Sequence, residues 1–466
     1  MKKVISISLL CIMLMSVFLT GCVPKSTNEG STSGSKKITL AVGNWPSDPK
    51  DQNLPKMNKF KEEFEKKYKD ITIKADTYGY DTNTFVPKAE SGQLPNLFVT
   101  WFTEPQKIID AGYAADITEY MNKYGFDKAL NPDMLKICSK DNKIYGIPTG
   151  GYYVGIWINM NIFKKAGLVD SNGLPKYPKT YDELAQDAQL IREKTGKSGF
   201  FFPTTNNQGG WLFLNIAWSY GADFEQEVDG EQKAVFNSPE AVEALQYLKD
   251  LKWKYNGLQS NILTDVNEMF KLFGTDQVGM SFGSKDWVNG TIDKYKISKD
   301  NFAVCSLPAG PKGRFSQMGG GLNMISKNST PEQIDAAFKW LEFTGFSPKL
   351  SEDGLNNMET SYKNDKEKGH AVGPYVLPVW VNKERSDAEQ KVRDKYTNVD
   401  MKLWEDYMKN EGVTIKPEPS YNCQELYKRL DSVVQAVLTN KNSDPKDLLN
   451  KAAADFQRDY LDKINK

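Results

Sequence analysis

Strand-like and helix-like segments alternate along this chain, and that alternation constrains its fold more than any other feature. Three early segments are strand-like: KKITLAVGNW (36–45), ITIKADTY (71–78) and LPNLFVTWF (94–102). Between the first two, PKMNKFKEEFEKKYKD places Phe60, Phe64 and Tyr68 at helical spacing. Strands that alternate with helices predict an α/β fold with a mostly parallel sheet covered on both faces.

Later helices carry start signals in the sequence. Thr180, Ser238 and Thr330 each precede an amphipathic run, and a proline follows the latter two directly. Such residues cap the free N–H groups of a helix start, and proline fits the first turn. By the same reasoning, the apolar periodic runs around Trp218, Trp253 and Trp340 predict that these three rings are core residues.

The N-terminus reads as a targeting segment. Residues 1–21 form a basic start and an apolar run that is shorter than the roughly 20 residues of a membrane span. Leu19-Thr20-Gly21-Cys22 resembles the lipobox of bacterial lipoproteins, which implies cleavage before Cys22 and lipidation of its thiol. Residues 22–36 are then the lipidated cysteine and a flexible tether. The alternative is an ordinary signal peptide with an incidental cysteine.

Charge and composition narrow the function classes. The chain has 60 basic and 60 acidic residues, which argues against nucleic-acid binding because that binding depends on phosphate neutralisation. A single histidine, His370, argues against a histidine-rich metal site, so no metal or cofactor is expected. Cys138, Cys305 and Cys423 offer no disulfide framework, and buried free thiols are the simpler expectation.

Five segments carry a resemblance to a known family. They are PNLFVTWFTEPQKIIDAGYAADIT, DNKIYGIPTGGYYVGIWINMNIFKKAGL, FNSPEAVEALQYLKDL, VGMSFGSKDW and SLPAGPKGRFSQMGGGLNMIS. In order and spacing, the chain resembles extracellular solute-binding proteins of sugar ABC importers, of the maltodextrin-binding-like group. The stretch 350–415 matches least well.

The resemblance implies a two-lobed, periplasmic-binding-protein-like α/β fold with a ligand cleft at a hinge that the chain crosses several times. Lobe 1 is expected at 37–150 plus 306–350, and lobe 2 at 151–305 plus 351–466. The crossings are expected at 146–154, at 301–308 and within 345–380. The partners implied are a sugar and the ABC permease subunits, with the protein itself a monomer on the outer face of the cytoplasmic membrane.

Aromatic and polar residues at strand ends are the candidate ligand site. Aromatic rings cover the C–H faces of sugars, while polar side chains satisfy the hydroxyl rims. Ligands of α/β sheets bind at the carboxyl ends of strands. The residues chosen on these grounds, with Trp101, Trp287 and the glycines also at family positions, are Asn44, Trp45, Trp101, Glu104, Tyr152, Tyr153, Trp211, Trp287, Gly319 and Gly320.

Two other function classes stay open at this point. GMSFG (279–283) spells the G-x-S-x-G motif of hydrolases, and His370 follows it, so a secreted carbohydrate-active enzyme is the main alternative. The stretch after Ser281 does not read as the helix that such a motif needs. The tandem Tyr152 and Tyr153 also resemble the iron-binding tyrosines of ferric-ion receptors that have the same broad fold. The receptor interpretation, without catalysis, is favoured by the abundance of aromatic residues.

The lipobox generates the first prediction. Cys22→Ala removes the thiol that would carry the lipid, so the variant should leave the membrane fraction and appear in the soluble fraction. Cell fractionation with a salt wash measures this. A variant that still pellets with membranes after the wash would show that the anchor assignment is wrong.

Overall fold

The computed structural model describes residues 37–51, 53–375 and 377–465. The predicted signal peptide, Cys22 and the tether lie outside these residues. The strands are β1 (Ile38–Val42), β2 (Ile71–Ala75), β3 (Leu97–Trp101), β4 (Ser139–Lys140), β5 (Lys143–Ile144), β6 (Gly146–Tyr153), β7 (Gly155–Asn159), β8 (Ser198–Phe201), β9 (Glu225–Val228), β10 (Glu231–Ala234), β11 (Val278–Gly283), β12 (Phe302–Ser306), β13 (Arg314–Ile325) and β14 (Val413–Pro417).

The helices complete the described chain. They are α1 (Asn53–Lys67), α2 (Phe85–Glu90), α3 (Pro105–Asp110), α4 (Thr118–Tyr124), α5 (Phe126–Ala129), α6 (Pro132–Ile137), α7 (Met160–Ala166), α8 (Tyr181–Thr195), α9 (Gln208–Tyr220), α10 (Pro239–Trp253), α11 (Val266–Gly274), α12 (Asp286–Tyr295), α13 (Pro331–Phe343), α14 (Glu352–Glu367), α15 (Lys383–Tyr396), α16 (Glu405–Lys409), α17 (Cys423–Thr439), α18 (Pro445–Phe456) and α19 (Asp462–Ile464). In the part of the chain that the structure describes, no helix is long and apolar enough to cross a membrane.

Two sheets define two lobes, which confirms the predicted α/β class. The first-lobe sheet has the order β14-β13-β3-β1-β2, and β6 also pairs with β13. The second-lobe sheet has the order β12-β7-β11-β8. Each sheet lies over its own hydrophobic core.

The sheets are mixed, so the expectation of a mostly parallel sheet is wrong. β1 runs parallel to both β2 and β3, but β13 is antiparallel to β3 and β6, and β7 is antiparallel to β11 and β12. Helical crossovers within a lobe keep strands parallel. β7 and β13 enter their sheets after the chain has crossed from the other lobe, and they run in the opposite direction.

The structure confirms the predicted helix caps and two of the three predicted core tryptophans. The side chains of Thr180, Ser238 and Thr330 each accept an N–H from the first turn of their helix, which confirms the three caps. Trp218 and Trp340 are each 2% exposed, as predicted for core residues. Trp253 is 37% exposed at the end of α10, so its core assignment is wrong. Its position on an apolar stripe did not reveal that the stripe ends at the surface.

The three cysteines of the body are buried free thiols, as expected. Cys138 and Cys305 are each fully buried, and Cys423 is 1% exposed. Burial raises the pKa of the Cys138 thiol to about 12, so it stays protonated at neutral pH.

The chain passes between the lobes at several points. Val154 separates β6 in the first lobe from β7 in the second, inside the predicted segment 146–154. The return runs through 307–313, between β12 and β13, and so falls mostly after the predicted 301–308. The chain crosses again between Trp380, which belongs to the first-lobe core, and Trp404, which belongs to the second-lobe core.

The C-terminal part does not lie wholly in the second lobe. α17 and α18 pack against α9 and α10 there, but β14 pairs in parallel with β13 in the first-lobe sheet. The backbone at 379–381 also bonds to residues 129 and 131 of the first lobe. The predicted boundary of lobe 2 at 351–466 therefore differs from the observed sheets, because neither the strand signal of VTIKP nor this contact was identified in the sequence.

The contrast between two tryptophans gives a stability prediction. Trp218→Ala removes a buried ring and should lower the free energy of unfolding by about 3–5 kcal/mol. Trp253→Ala removes a half-exposed ring and its hydrogen bond to the Val437 carbonyl, so about 1 kcal/mol is expected. Melting curves without ligand measure both. Equal losses would contradict the assignment of Trp218 to the core and Trp253 to the surface.

Candidate functional site

A cleft of about 820 Å³ lies where loops of the two lobes face each other. The first lobe contributes Trp101, Thr103, Tyr152 and Gly320. The second lobe contributes the 206–208 turn with Trp211, and also Lys285, Asp286 and Tyr427. A third group comes from α14 and the segment after it, and from the segment after β14. The cleft therefore has walls from both lobes and from the connections between them.

Trp101 is the exposed aromatic of the first lobe. It ends β3 and is 44% exposed, an unusual exposure for a large apolar ring. The Tyr80 ring meets it edge-on at 5.1 Å between ring centres. The Tyr80 hydroxyl in turn donates a hydrogen bond to the carboxylate of Glu104. The ring of Trp101 is thus held in place from behind.

Glu104 supports the cleft without lining it. Only 2% of Glu104 is exposed, and Thr103, which does line the cleft, donates to its carboxylate at 2.9 Å. Burial raises the pKa of Glu104, and the hydrogen bonds from Tyr80 and Thr103 counteract part of that rise. The prediction that Glu104 contacts ligand is therefore replaced by a supporting position.

Trp211 is placed by the start of α9. The carboxylate of Asp431 accepts the backbone N–H groups of Asn207 and Gly210 at 2.7 Å each, and so caps this helix from α17. A Cβ on Gly210 would lie 2.3 Å from the Tyr427 carbonyl oxygen, so only glycine permits this close packing. The sequence NNQGGW thus encodes a helix start pressed against α17, with Trp211 in its first turn.

Glu418 forms a polar centre in the cleft wall. Trp211 Nε1 and the Tyr427 hydroxyl both donate to its Oε1, each at 2.7 Å. Burial raises the pKa of Glu418 to about 7, although these two hydrogen bonds favour the ionised form. The nearby negative charge of Glu104 makes a smaller contribution, which also raises the pKa of Glu418. The carboxyl group therefore titrates near neutral pH.

The tandem tyrosines point to different places. Tyr152 lines the cleft, whereas Tyr153 is 3% exposed and exchanges hydrogen bonds with Tyr407, hydroxyl to carbonyl, at 2.7 Å each. Neighbouring residues of a strand face opposite sides, and β6 shows this alternation. The prediction that Tyr153 faces the cleft is wrong.

Glycines of β13 make room for the tyrosine that does line the cleft. A Cβ on Gly319 would lie 2.5 Å from the Tyr152 ring, so a side chain there would displace that ring. Gly320 lines the cleft itself, and a Cβ there would meet the Gly150 carbonyl oxygen at 2.3 Å. Gly319 does not itself line the cleft, and its lack of a side chain leaves the space that the Tyr152 ring occupies.

Three further candidates lie away from the cleft lining. Trp45 is 5% exposed and stacks on Trp340 in the first-lobe core, and exposed Asn44 before it does not line the cleft. Trp287 is half-buried behind Trp211, with 5.7 Å between their ring centres. The predictions for Asn44 and Trp45 are wrong, because Trp45 turns into the core and Asn44 is exposed outside the cleft. Trp287 is a backing ring, and its neighbours Lys285 and Asp286 line the cleft instead.

Sequence reasoning missed several lining residues. Tyr362 and Tyr375 come from the stretch 350–415, which carried no recognisable motif. Gln424 and Tyr427 lie on α17, where they read as ordinary helix residues. Residues 206–208 are separated from Trp211 by two glycines, and their polar amides were the one available signal.

The hydrolase motif has a different structural role. Ser281 lies within β11, is 1% exposed, and its Oγ lies 3.2 Å from Met269 Sδ. The expectation that the following stretch is not helical is wrong, since α12 begins at Asp286; the serine nevertheless lies on the strand and not at a strand-to-helix turn. His370 is held between Asp365 and Asp293, with ring nitrogen to carboxylate distances of 2.9 and 2.8 Å.

Among the residues that the structure describes, no cluster of three or more histidine, cysteine, aspartate or glutamate residues could hold a metal ion.

Comparison with known proteins assigns the class. The family of bacterial extracellular solute-binding proteins matches residues 50–344, and the chain belongs to this family. The arabinooligosaccharide-binding protein of Bacillus subtilis is 26% identical over 98% of this chain and 100% of its own length.

Solved structures agree on the fold. Maltose-bound MalE3 of T. maritima superposes with a TM-score of 0.65 at 20% identity, covering 91% of this chain and 99% of that one. UgpB of Mycobacterium tuberculosis, in complex with glycerophosphocholine, gives a TM-score of 0.67 at 13% identity, covering 93% and 100%. These similarities confirm the two-lobed, periplasmic-binding-protein-like fold.

The raised pKa of Glu418 yields a prediction of pH-dependent stability. Because the folded-state pKa is about 7 and the ordinary value is 4.5, the unfolded chain loses this proton first as pH rises. The free energy of unfolding should therefore fall between about pH 4.5 and 7. Glu418→Gln removes this term and should gain about 1–3 kcal/mol relative to the unmodified protein at about pH 8.

Melting curves at about pH 4.5 and pH 8 measure the effect. Gln can still accept both hydrogen bonds at Oε1, so any fixed cost of its amide group appears at both pH values and cancels in the comparison. The gain in free energy of unfolding caused by Glu418→Gln should be larger at the higher pH. A gain that is the same at both pH values would show that this carboxyl group ionises as freely as an exposed one.

Proposed function

We propose that this protein is the substrate-binding component of an ABC importer and that it captures an oligosaccharide in the cleft. The main observation behind this proposal is the composition of the cleft wall, which contains aromatic rings from both lobes together with amide and hydroxyl groups. The names of related proteins support the same class of ligand, since one is described as arabinooligosaccharide-binding and one is bound to maltose.

The wall has the chemistry that a sugar requires. Trp101 and Trp211 supply apolar faces, one from each lobe, for the C–H faces of sugar rings. Asn206, Gln208 and Thr149 supply uncharged donors and acceptors for hydroxyl groups. The cleft volume of about 820 Å³ lies in the upper part of the usual range for small-molecule sites, which favours more than one sugar unit.

Capture proceeds by closure of the lobes around the ligand. Gln424 of α17 donates from Nε2 to Thr103 Oγ1 of the first lobe at 3.3 Å, so the two lobes already touch beside the cleft. A ligand that contacts Trp101 and Trp211 together stabilises only the closed arrangement. Binding thus shifts the population toward closure, and the closed form is the one that docks on the permease.

Catalysis is not part of the proposed function. Ser281 is buried in β11, and a nucleophile must be within reach of its substrate. Tyr152 and Tyr153 diverge, so they do not present two phenolate oxygens to one iron ion. The carbohydrate-active enzyme and the ferric receptor are therefore both less favoured than a sugar receptor.

We place the protein at the outer face of the cytoplasmic membrane as a monomer tethered through lipid on Cys22. The family of extracellular solute-binding proteins supports the location. The lipobox-like residues 19–22 support the anchor. Two or more acyl chains on one residue would suffice for stable anchoring.

A ligand screen tests this function. Arabino-, xylo- and malto-oligosaccharides are added to the purified protein, and melting temperatures are recorded. A true ligand at about 100 times its Kd adds roughly 2.7 kcal/mol of stability. The sugars should be recovered intact after incubation. Cleaved products would favour the enzyme, and no shift with any sugar would overturn the proposed ligand class.

Trp101 provides a direct prediction for the cleft. Trp101→Ala should weaken the best sugar ligand by about 30- to 1000-fold, the usual cost of roughly 2–4 kcal/mol for removing an aromatic anchor. The melting temperature without ligand should change little, because the ring is 44% exposed.

Trp253→Ala is the matched control, since that ring is 37% exposed and does not line the cleft. It should leave affinity unchanged in calorimetry. Normal affinity in Trp101→Ala would mean that the sugar lies elsewhere in the cleft.

A further inference from the structure

The helix pair α14–α15 presents two tyrosines to the cleft from outside both sheets. Tyr362 lies on α14, Tyr375 lies between the two helices, and both line the cleft. α14 has no buried side chain of its own. The position of this aromatic wall, defined as Tyr362 and Tyr375, therefore depends on contacts with α15.

α15 packs through charged side chains in place of aliphatic ones. Its buried residues are Arg385, Glu389 and Arg393, four positions apart and so on one face of the helix. Arginine is rarely fully buried unless it is paired. The two buried arginines on this face therefore need partners that can pair with a planar, positively charged guanidinium group.

Arg393 finds such partners in the aromatic wall. Its guanidinium carbon lies 3.9 Å from the centre of the Tyr375 ring, and its positive charge offsets part of the rise that burial causes in the pKa of the nearby Tyr362. Arg393 is 4% exposed, and its Nε has no hydrogen-bond partner among the described residues. The attraction between a cation and a ring is strongest when it is desolvated, as here. One arginine thus fixes both tyrosines.

We propose that Arg393 is a positioning residue for a third wall of the cleft, and that Tyr362 and Tyr375 contact the outer units of a longer oligosaccharide. This inference rests on the proposed sugar-binding function. Trp101 and Trp211 line the cleft from the two lobes, and in this proposal they hold the inner units of the ligand. A longer ligand extends beyond these two rings to the wall that Arg393 holds.

Arg385 offers a matched control on the same helix face. Its guanidinium carbon lies 4.2 Å from the centre of the Trp380 ring, and it is 7% exposed. It also pairs with Glu389 at 2.8 Å. Trp380 belongs to the first-lobe core and does not line the cleft. The two arginines therefore share their chemistry and burial but differ in what they hold.

The test compares Arg393→Lys with Arg385→Lys. Lysine keeps the charge but loses the planar stacking group. Arg393→Lys should weaken binding of arabino- or malto-tetraose by about tenfold and of the disaccharide by less than about twofold. Arg385→Lys should leave the ratio of the two affinities unchanged. Calorimetry gives the affinities, and melting curves without ligand report the structural cost of each change.

A double variant shows whether Arg393 acts through the ring. Tyr375→Ala should itself weaken the tetrasaccharide selectively, and Arg393→Lys added to Tyr375→Ala should cause little further loss. Should Arg393→Lys fail to fold, Tyr375→Ala decides alone, and normal tetrasaccharide affinity in that variant overturns the inference.

The outcomes separate this inference from the proposed function. Equal losses for both sugar lengths in Arg393→Lys, or no loss, overturn the third wall while the sugar receptor stands. A length-dependent loss in Arg385→Lys as well would assign the effect to general loosening of α15, which also overturns it. Binding of no sugar by the unmodified protein overturns both.

Discussion

The close backbone pairing of β13 with its neighbours is the constraint on which the first-lobe half of the cleft depends. One strand pairs with β3, β6 and β14. The register places Gly321 opposite Trp101 and Gly319 opposite Tyr152. The glycines matter because a Cβ on Gly319 would occupy the space of the Tyr152 ring. Two lining aromatics thus take their positions from one run of glycines.

The second lobe reaches the same end by capping a helix. Asp431 holds the first turn of α9 through backbone N–H groups, and burial raises its pKa to about 6 despite those bonds. A carboxylate near a helix N-terminus is favoured by the helix dipole. Trp211 leaves that first turn and donates to Glu418, which follows β14 of the first-lobe sheet. A second-lobe ring therefore hydrogen-bonds to the chain just beyond a first-lobe strand.

This contact explains why the hinge and the binding site are not separate devices. β14 belongs to the first-lobe sheet through its pairing with β13, and it leads directly to Glu418 in the cleft wall and then to α17 of the second lobe. Glu418, with a pKa of about 7, therefore lies where the end of a first-lobe strand meets two second-lobe side chains, Trp211 and Tyr427.

Local sequence signals identified the framework better than the cleft. Thr180, Ser238 and Thr330 were identifiable as caps because capping depends on residues a few positions apart. Trp101 could be placed at a strand end for the same local reason. Trp45 has the same local context, and only the packing of α13 against β1 decides that its ring stacks on Trp340.

The missed residues share one physical cause. Tyr362, Tyr375 and Tyr427 become cleft residues only through contacts between segments far apart in the chain. The periodicity of one helix does not show which other element will cover it. The mixed sheets were missed for the same reason, because strand direction depends on where the chain re-enters a sheet after crossing the hinge.

The fold is shared by proteins with different ligands, so the side chains of the cleft determine which ligand is bound. The chain superposes on a maltose-bound protein and on one in complex with glycerophosphocholine, with TM-scores of 0.65 and 0.67. Backbone architecture alone therefore does not select between a neutral sugar and a charged phosphodiester. A phosphodiester carries a negative charge that needs a cationic partner, but the cleft lining contains Lys285 beside Asp286 and Glu418. With aromatic rings from both lobes and from the connecting segment, this wall suits a neutral, hydroxyl-rich ligand better than an anion.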